Sequence, residues 1–458
     1  MIPTQTDTKV VRAALLLIAA ALVGIALEAT GPVYQTGSIL QLTVAIALVG
    51  VVLFGSLCER LPSAATPAAI LAVVTLIVWQ VVDGLSVANL YFLGRRGALF
   101  PSRWLLVVFV GCIALTLSAK AGLRRTGVGL VVASVLAMSA WVFHGPTPTI
   151  DVLVFQEKSA IALSNFENPY DPHVVRYPDI YKGQGGYYDE SLLDGALLNF
   201  GYPYPASSLI AATGARSLLS DVRWSLACAL AGCVFVMFAL ATNSASRRIA
   251  TLAVAVLLTS PKGFHVLQFG WIEPLVLLAL LLVFYTALRR RSLLPYALGL
   301  LLTTKQYTPL VLPLVVLIVP MAELRRRRFI VPVLSGAALA AIPALFVTGY
   351  WYSVAVIQFV QPFRNDSLSF AAWWANSGNA APGTLFSFAP PLLVLALCLW
   401  KAPRNVAGFS ASCGFVLLIF FSFAKQAFAN YHMLAIGVLC AAAILAVADS
   451  SQRVHTAI

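Results

Sequence analysis

The chain has 458 residues, of which 60% are apolar and only 10% are charged, and its mean hydropathy is +0.89. That composition excludes a water-soluble globule of this size, which needs far more charge to cover its surface. The net charge of +13 does not point to nucleic acid. The basic residues form short clusters between apolar runs, as positive-inside loops do, and no helix-turn-helix, zinc-finger or RNA-binding signature accompanies them.

Apolar runs recur from end to end, among them Val10–Leu27, Ile39–Leu57, Leu105–Leu117 and Val331–Val347. A span needs roughly 20 residues, and lipid leaves the backbone no option but the helix. The expected fold is therefore all-α, a polytopic transmembrane bundle of about 12–14 spans with a long extracytoplasmic loop carrying interfacial helices. Lys9 and Arg12 stand at the start of the first run and no small-residue cleavage site follows, so an uncleaved first span is expected. Spans are predicted near 10–28, 39–57, 66–82, 104–119 and 127–144, then near 222–242, 249–261, 266–288, 292–304, 308–320 and 329–349, and finally near 384–400, 406–424 and 430–448. The short segments within 249–320 read as broken or tilted helices. Residues 1–126 form an N-terminal set of spans, 127–448 a second module, and 449–458 a tail.

The clusters Lys120/Arg124/Arg125, Arg247/Arg248, Arg289–Arg291, Arg325–Arg328 and Lys401/Arg404 place the short loops and both termini in the cytoplasm. Arg95, Arg96 and Arg103 fall on the other side in this path. The seven cysteines are dispersed, with no CxxC pair, which argues against a disulfide framework and against zinc. No internal repeat is evident.

Polar chemistry gathers on the outer side, in the loops 145–205 and 350–383 and in the interruptions 261–265, 303–307 and 425–432. The first loop holds eight of the seventeen carboxylates and many tyrosines. Carboxylates beside aromatic rings suit sugar, though a solvated acidic loop would have the same composition. Asp151 opens an amphipathic run, 152–163, with Val152, Phe155, Ser159 and Ala162 on one face. Asp151 is thus either a helix N-cap or a base at the membrane surface, and position alone does not separate the two. Asn168-Pro-Tyr-Asp171 is a turn signal. The segment from Asn199 to Leu219 reads as a helix resting at the interface before the next span. No metal-ligand spacing is present, and no metal or cofactor is expected.

The order of these segments resembles the GT-C superfamily of membrane glycosyltransferases, and within it glycosyltransferase family 87, the polyprenol-phosphate-mannose-dependent mannosyltransferases. Asp151-Val-Leu-Val-Phe155 followed by Asn168-Pro-Tyr-Asp171 resembles that family's first outer loop. Phe200-Gly-Tyr-Pro-Tyr-Pro205 is similar to its helix-opening motif, with Tyr204 in place of a proline. Thr304-Lys-Gln-Tyr307, Asn365-Asp-Ser-Leu368 (Asp366 replacing Gln) and Ala429-Asn-Tyr-His432 resemble three further segments. The likeness runs from about 145 to 448 and does not reach residues 1–125.

The resemblance implies a membrane-bound hexosyltransferase. It would move a sugar, mannose first among the possibilities, from a polyprenyl phosphate to an extracytoplasmic glycolipid or polysaccharide by inverting single displacement. It further implies Asp151 as catalytic base and Lys305, Lys262, Arg364, Lys425 and His265 around the leaving phosphate. Gln268, Gln306, Tyr307, Glu273, Asn365, Tyr431, His432 and Tyr170 are the candidates for sugar or acceptor contact. For His265 and His432 a structural hydrogen bond is the simpler reading, and for Lys305 a snorkelling side chain is the alternative. Two rival classes remain: a transporter or flippase of lipid-linked sugars, and a polysaccharide polymerase or ligase.

Overall fold

The computed structural model describes residues 5–29, 36–62, 64–84, 110–111, 113–118, 120–145, 147–182, 187–260, 262–345 and 347–448. Half of the expected span 104–119 lies outside them, and Arg95, Arg96, Arg103 and the tail 449–458 lie wholly outside.

The chain is a helical bundle. Its long helices are α1 (Gln5–Ala29), α2 (Thr36–Phe54), α3 (Ala65–Gly84) and α4 (Ala121–Phe143), then α5 (Asp151–Ser164), α6 (Ala206–Leu219), α7 (Trp224–Leu240) and α8 (Ser244–Thr259). They are followed by α9 (Glu273–Arg289), α10 (Leu294–Leu302), α11 (Arg327–Leu345), α12 (Thr384–Lys401), α13 (Val406–Phe423) and α14 (Ala429–Val447). Seven of the described helices are long and apolar enough to cross a membrane: α1 to α4 and α12 to α14. The elbow of α6 and α7 makes an eighth if counted as one broken span. This is a multi-pass, all-α membrane protein.

Helices α13 and α14 form the centre, packed on each other and on α1, α8 and α9. The periphery is inverted relative to a soluble protein. Leu71, Trp79 and Val82 of α3 and Leu393 of α12 point outward from the bundle. Large apolar side chains exposed along a helix in this way are a liability in water and the expected state in lipid.

Three departures from the expected spans have local causes. The expected span 266–288 is interrupted: a short helix, Gly263–Gln268, stops at Gly270, whose φ of +71° is left-handed, and α9 begins only at Glu273. Hydropathy alone runs straight through that break. The segment 308–317 is a 3-10 helix, and Pro313 inside it removes an amide donor that an α-helix would use. Finally, α6 meets α7 at 109°. The elbow turns at Ser220, with φ +64°, and is pinned by Arg223. That guanidinium donates to Asp221 at 2.6 Å and to the Phe143 carbonyl at 3.3 Å, and it lies 4.6 Å from the Phe143 ring centroid. The helix expected before the span is therefore α6.

A second, smaller core sits beside the bundle. Phe155 of α5, Tyr170, Tyr177, Tyr188, Phe200, Tyr202 and Tyr350 pack together, with the tilted and edge-on ring pairs that aromatic quadrupoles favour. A two-strand hairpin, β1 (Leu193–Asp194) with β2 (Leu197–Leu198), closes its rim. The Asn168-Pro169-Tyr170 turn is wedged tightly: a Cβ on Gly201 would stand 2.2 Å from the Tyr170 carbonyl carbon. Only glycine permits that approach.

Candidate functional site

A cavity of about 250 Å³ opens between this aromatic lobe and the bundle, and Asp151 lines it. Asp151 is the first residue of α5, while Ile150 is the N-cap and makes no side-chain capping bond. The N-cap reading of Asp151 is thereby removed. The amphipathic face expected of α5 is present, with Val152, Phe155, Ser159 and Ala162 all buried. Its inward turn is anchored by Gln156, which donates to the Gly270 carbonyl, and by the hydroxyl pair Ser159 and Tyr177. The break at Gly270 thus serves as the seat for the helix that carries Asp151.

The Asp151 carboxylate is 9% exposed. Its Oδ1 accepts from the Val152 amide at 2.7 Å, and its Oδ2 accepts from the Tyr188 hydroxyl at 2.6 Å. The Tyr181 hydroxyl stands at 3.5 Å from Oδ1. Burial pushes the Asp151 carboxyl above the usual carboxylate range, and the Tyr188 bond, the Val152 amide and the charge of Arg364 act against that rise. Burial and the neighbouring Asp151 charge push the Tyr188 phenol up, which keeps it a hydrogen-bond donor. The Tyr181 and Tyr187 rings lie tilted at 4.2 Å and Tyr187 meets Tyr188 edge-on at 4.8 Å, forming an aromatic wall.

Two cations line the same cavity. Arg364 lies 4.3 Å from the Tyr187 ring centroid and is gripped by Asp366 through two bonds of 2.8 and 2.6 Å. Lys305 occupies the break between α10 and the 3-10 helix and is 3% exposed. Its Nζ meets Glu273 Oε1 at 2.7 Å and faces the Tyr204 ring at 4.5 Å and the Tyr431 ring at 5.4 Å. Glu273, expected among the sugar contacts, is instead the counter-ion of Lys305, wholly buried at the first turn of α9. Each cation keeps further N–H donors beyond those its carboxylate uses.

The chain matches no protein-family model, no curated protein and no solved structure.

The structure brings together Asp151, Lys305, Arg364 and Tyr431, all of which line the cavity. Other expected site residues lie behind it. Tyr307 donates to Glu273 at 3.3 Å and Gln306 to the Pro203 carbonyl at 3.3 Å. Asn365 offers its carbonyl to Asn376, and Lys425 donates to the carbonyls of Phe359 and Gln361. His432 is buried against the Leu368 carbonyl at 2.9 Å, the structural hydrogen bond expected of it. Tyr170 belongs to the aromatic core, with its hydroxyl on the Tyr204 carbonyl at 3.3 Å. Lys262, His265 and Gln268 lie in or beside the short helix that precedes Gly270 and do not line the cavity.

Of the eight loop acids only Asp151 reaches the cavity. Asp171 and Asp189 cap short helical turns, and Asp179 accepts from the Tyr181 amide. Sequence reasoning did not single out Tyr188, which reaches the site through its bond to Asp151, nor Trp271, Gln358, Gln361, Gln426 and Asn430, which line the cavity. Among the described residues no group of three or more His, Cys, Asp or Glu side chains gathers as a metal site.

Proposed function

We propose that this protein is a membrane glycosyltransferase of the GT-C type, with the resemblance to family 87 setting the expected donor. It would move a sugar, mannose in the first instance, from a polyprenyl phosphate to an extracytoplasmic glycolipid or polysaccharide. The observation that carries the reading is one buried carboxylate, Asp151, sharing a cavity with Lys305, Arg364 and an aromatic wall. The acceptor hydroxyl oxygen attacks the anomeric carbon while the bond from that carbon to the phosphate oxygen breaks. The bonding pair leaves on the phosphate, and the acceptor proton passes to Asp151. A single displacement inverts the centre. A lipid phosphate leaves without protonation, so one carboxylate suffices where glycoside hydrolysis uses two. Lys305 and Arg364 would receive the charge of the departing phosphate. In this reading the bundle has about 12–14 spans, both termini are cytoplasmic, and the cavity opens on the extracytoplasmic face.

The test is transfer by purified protein in lipid, supplied with polyprenyl-phosphate-mannose and a panel of acceptors. Asp151→Asn should fold and lose roughly 10²–10⁴ of the rate. Full activity in that variant overturns the assignment of the base.

A transporter or flippase of lipid-linked sugars draws on one specific observation, the buried Lys305–Glu273 pair at a broken helix. Uptake into sealed vesicles without transfer would favour it.

A further inference from the structure

The bundle carries a second cavity far from Asp151. It is a groove of about 490 Å³, within the range of small-molecule and cofactor pockets, between α4, α7 and the start of α8. Arg124 and Arg125 of α4 and Arg247 of α8 line it, and its walls are apolar, with Val128, Val132 and Phe238 prominent. The other end of α4 and α7 belongs to the Asp151 side, where Phe143 packs edge-on against Trp224 at 5.3 Å. Nineteen residues of helix separate Arg124 from Phe143, a rise of roughly 30 Å, so the two cavities lie toward opposite ends of the bundle.

The groove's chemistry is two-part. None of the three arginines is ion-paired with a described carboxylate. The one hydroxyl in the lining, Thr116, is already engaged with Thr251 at 2.7 Å. The groove therefore offers guanidinium forks, which match phosphate oxygens, and an apolar wall. Its flank faces outward: Phe235, itself part of the lining, is 62% exposed, and Leu123 and Leu130 of α4 are exposed as well. A free phosphate would use the arginines and leave the wall empty, and a neutral lipid would do the reverse. A molecule with an anionic phosphate head and a hydrocarbon tail uses both.

We propose that this groove binds one anionic phospholipid from the leaflet at the basic end of the bundle. Its phosphate lies on Arg124, Arg125 and Arg247, and an acyl chain lies along Val132 and Phe238. The site is separate from the Asp151 cavity, and its test does not depend on the glycosyltransferase reading.

The experiment is native mass spectrometry of the full-length protein released from micelles. Phosphatidylglycerol and phosphatidylcholine of matched chains are offered in competition, with glycerol 3-phosphate as the head group alone. Phosphatidylglycerol should be retained in preference. Each arginine near a membrane surface contributes enough that R124Q/R125Q/R247Q should weaken retention on the order of ten- to a hundredfold. R326Q/R327Q/R328Q, which removes the same charge elsewhere, should leave it unchanged. Val132→Trp keeps the arginines and fills the groove, and it should also release the lipid. Equal retention of the two lipids overturns the proposal, as does loss in the control triple variant. So do unchanged retention in either groove variant and competition by glycerol 3-phosphate at parity with the lipid.

Discussion

The Tyr188 hydroxyl donates to Oδ2 of Asp151 across 2.6 Å, joining a loop residue to the first residue of α5 thirty-seven positions earlier. The bond stabilises the ionised carboxylate, whereas burial disfavours it, and burial is the larger effect. Asp151 therefore holds its proton to higher pH in the folded protein than in the unfolded chain. Transfer that needs Asp151 as a base should rise with pH through that elevated range. Tyr188→Phe removes a donor to the charged form, so the acid limb should move to higher pH. Below the limb the rate should fall by about tenfold, the worth of one hydrogen bond to a charged group. A pH–rate profile of the two proteins checks this, and coincident limbs would refute it.

The same residue makes a stability prediction of opposite sign to the usual carboxylate. Its contribution is present below the unfolded-state pKa and is lost as pH rises through the raised folded value, because the native state binds the extra proton. Asp151→Asn removes that dependence. It should melt no lower than the parent at neutral pH while losing transfer, a stability gain at the expense of function. Thermal unfolding in lipid across pH reads it directly.

The Lys305 and Glu273 side chains are both buried and meet at 2.7 Å. Removing one partner strands a buried charge, so Glu273→Gln or Lys305→Met should each destabilise the protein by roughly 3–5 kcal/mol. The double variant should recover much of that loss, since no charge remains to be buried. Additive losses in a thermal double-mutant cycle would argue against the pair acting as a unit.

Gly270→Ala should damage the site without touching it. At φ +71° an L side chain is strained, and its Cβ would stand 3.0 Å from Leu153 and 3.2 Å from Gln156, both on the helix that carries Asp151. The expected cost is about 1–3 kcal/mol, with a matching loss of transfer. Gly214→Ala on α6, where a Cβ meets nothing within 4 Å, should be neutral or mildly stabilising. Melting curves and transfer rates of the pair decide the matter.

Asp194 is exposed at the rim of the aromatic lobe and Arg326 is exposed in the basic loop before α11. If the lobe is extracytoplasmic, Asp194→Cys should react with an impermeant thiol reagent in intact cells. Arg326→Cys should react only after permeabilisation. The reverse pattern would invert the whole path and the proposed site with it.

The parts of this architecture that repeat locally were legible in the sequence. The 3.6-residue pattern of 152–163 gave α5 and its buried face, and the semi-apolar run before Asp221 gave α6. Segments 365–368 and 429–432, far apart in the chain, do meet: the Leu368 amide donates to the Ala427 carbonyl at 2.9 Å and its carbonyl is bonded by His432. What could not be read was pairing at a distance. Nothing in composition says that Glu273 will meet Lys305, or that of the loop tyrosines Tyr188 and, at longer range, Tyr181 will reach Asp151. Facing was also hidden at helix starts. Asn430 and Tyr431 turn toward the cavity while His432, one step of roughly 100° further round α14, turns to Leu368. Broken helices in this region were legible, but the place of the break at Gly270 was not, because hydropathy averages over a single left-handed residue.

The cavity is closed on one side by Asn430 and Tyr431, at the start of the last described helix, and on the other by residues near 151. This connectivity sets an order in time. Asp151, Tyr188, Lys305 and Arg364 all leave the ribosome before the chamber can have its final wall. A nascent chain that has not yet inserted the α13–α14 hairpin holds every charged group of the site but no enclosed space for them to act in. Under the proposed function, competence for transfer would thus arrive only once the α13–α14 hairpin is in place.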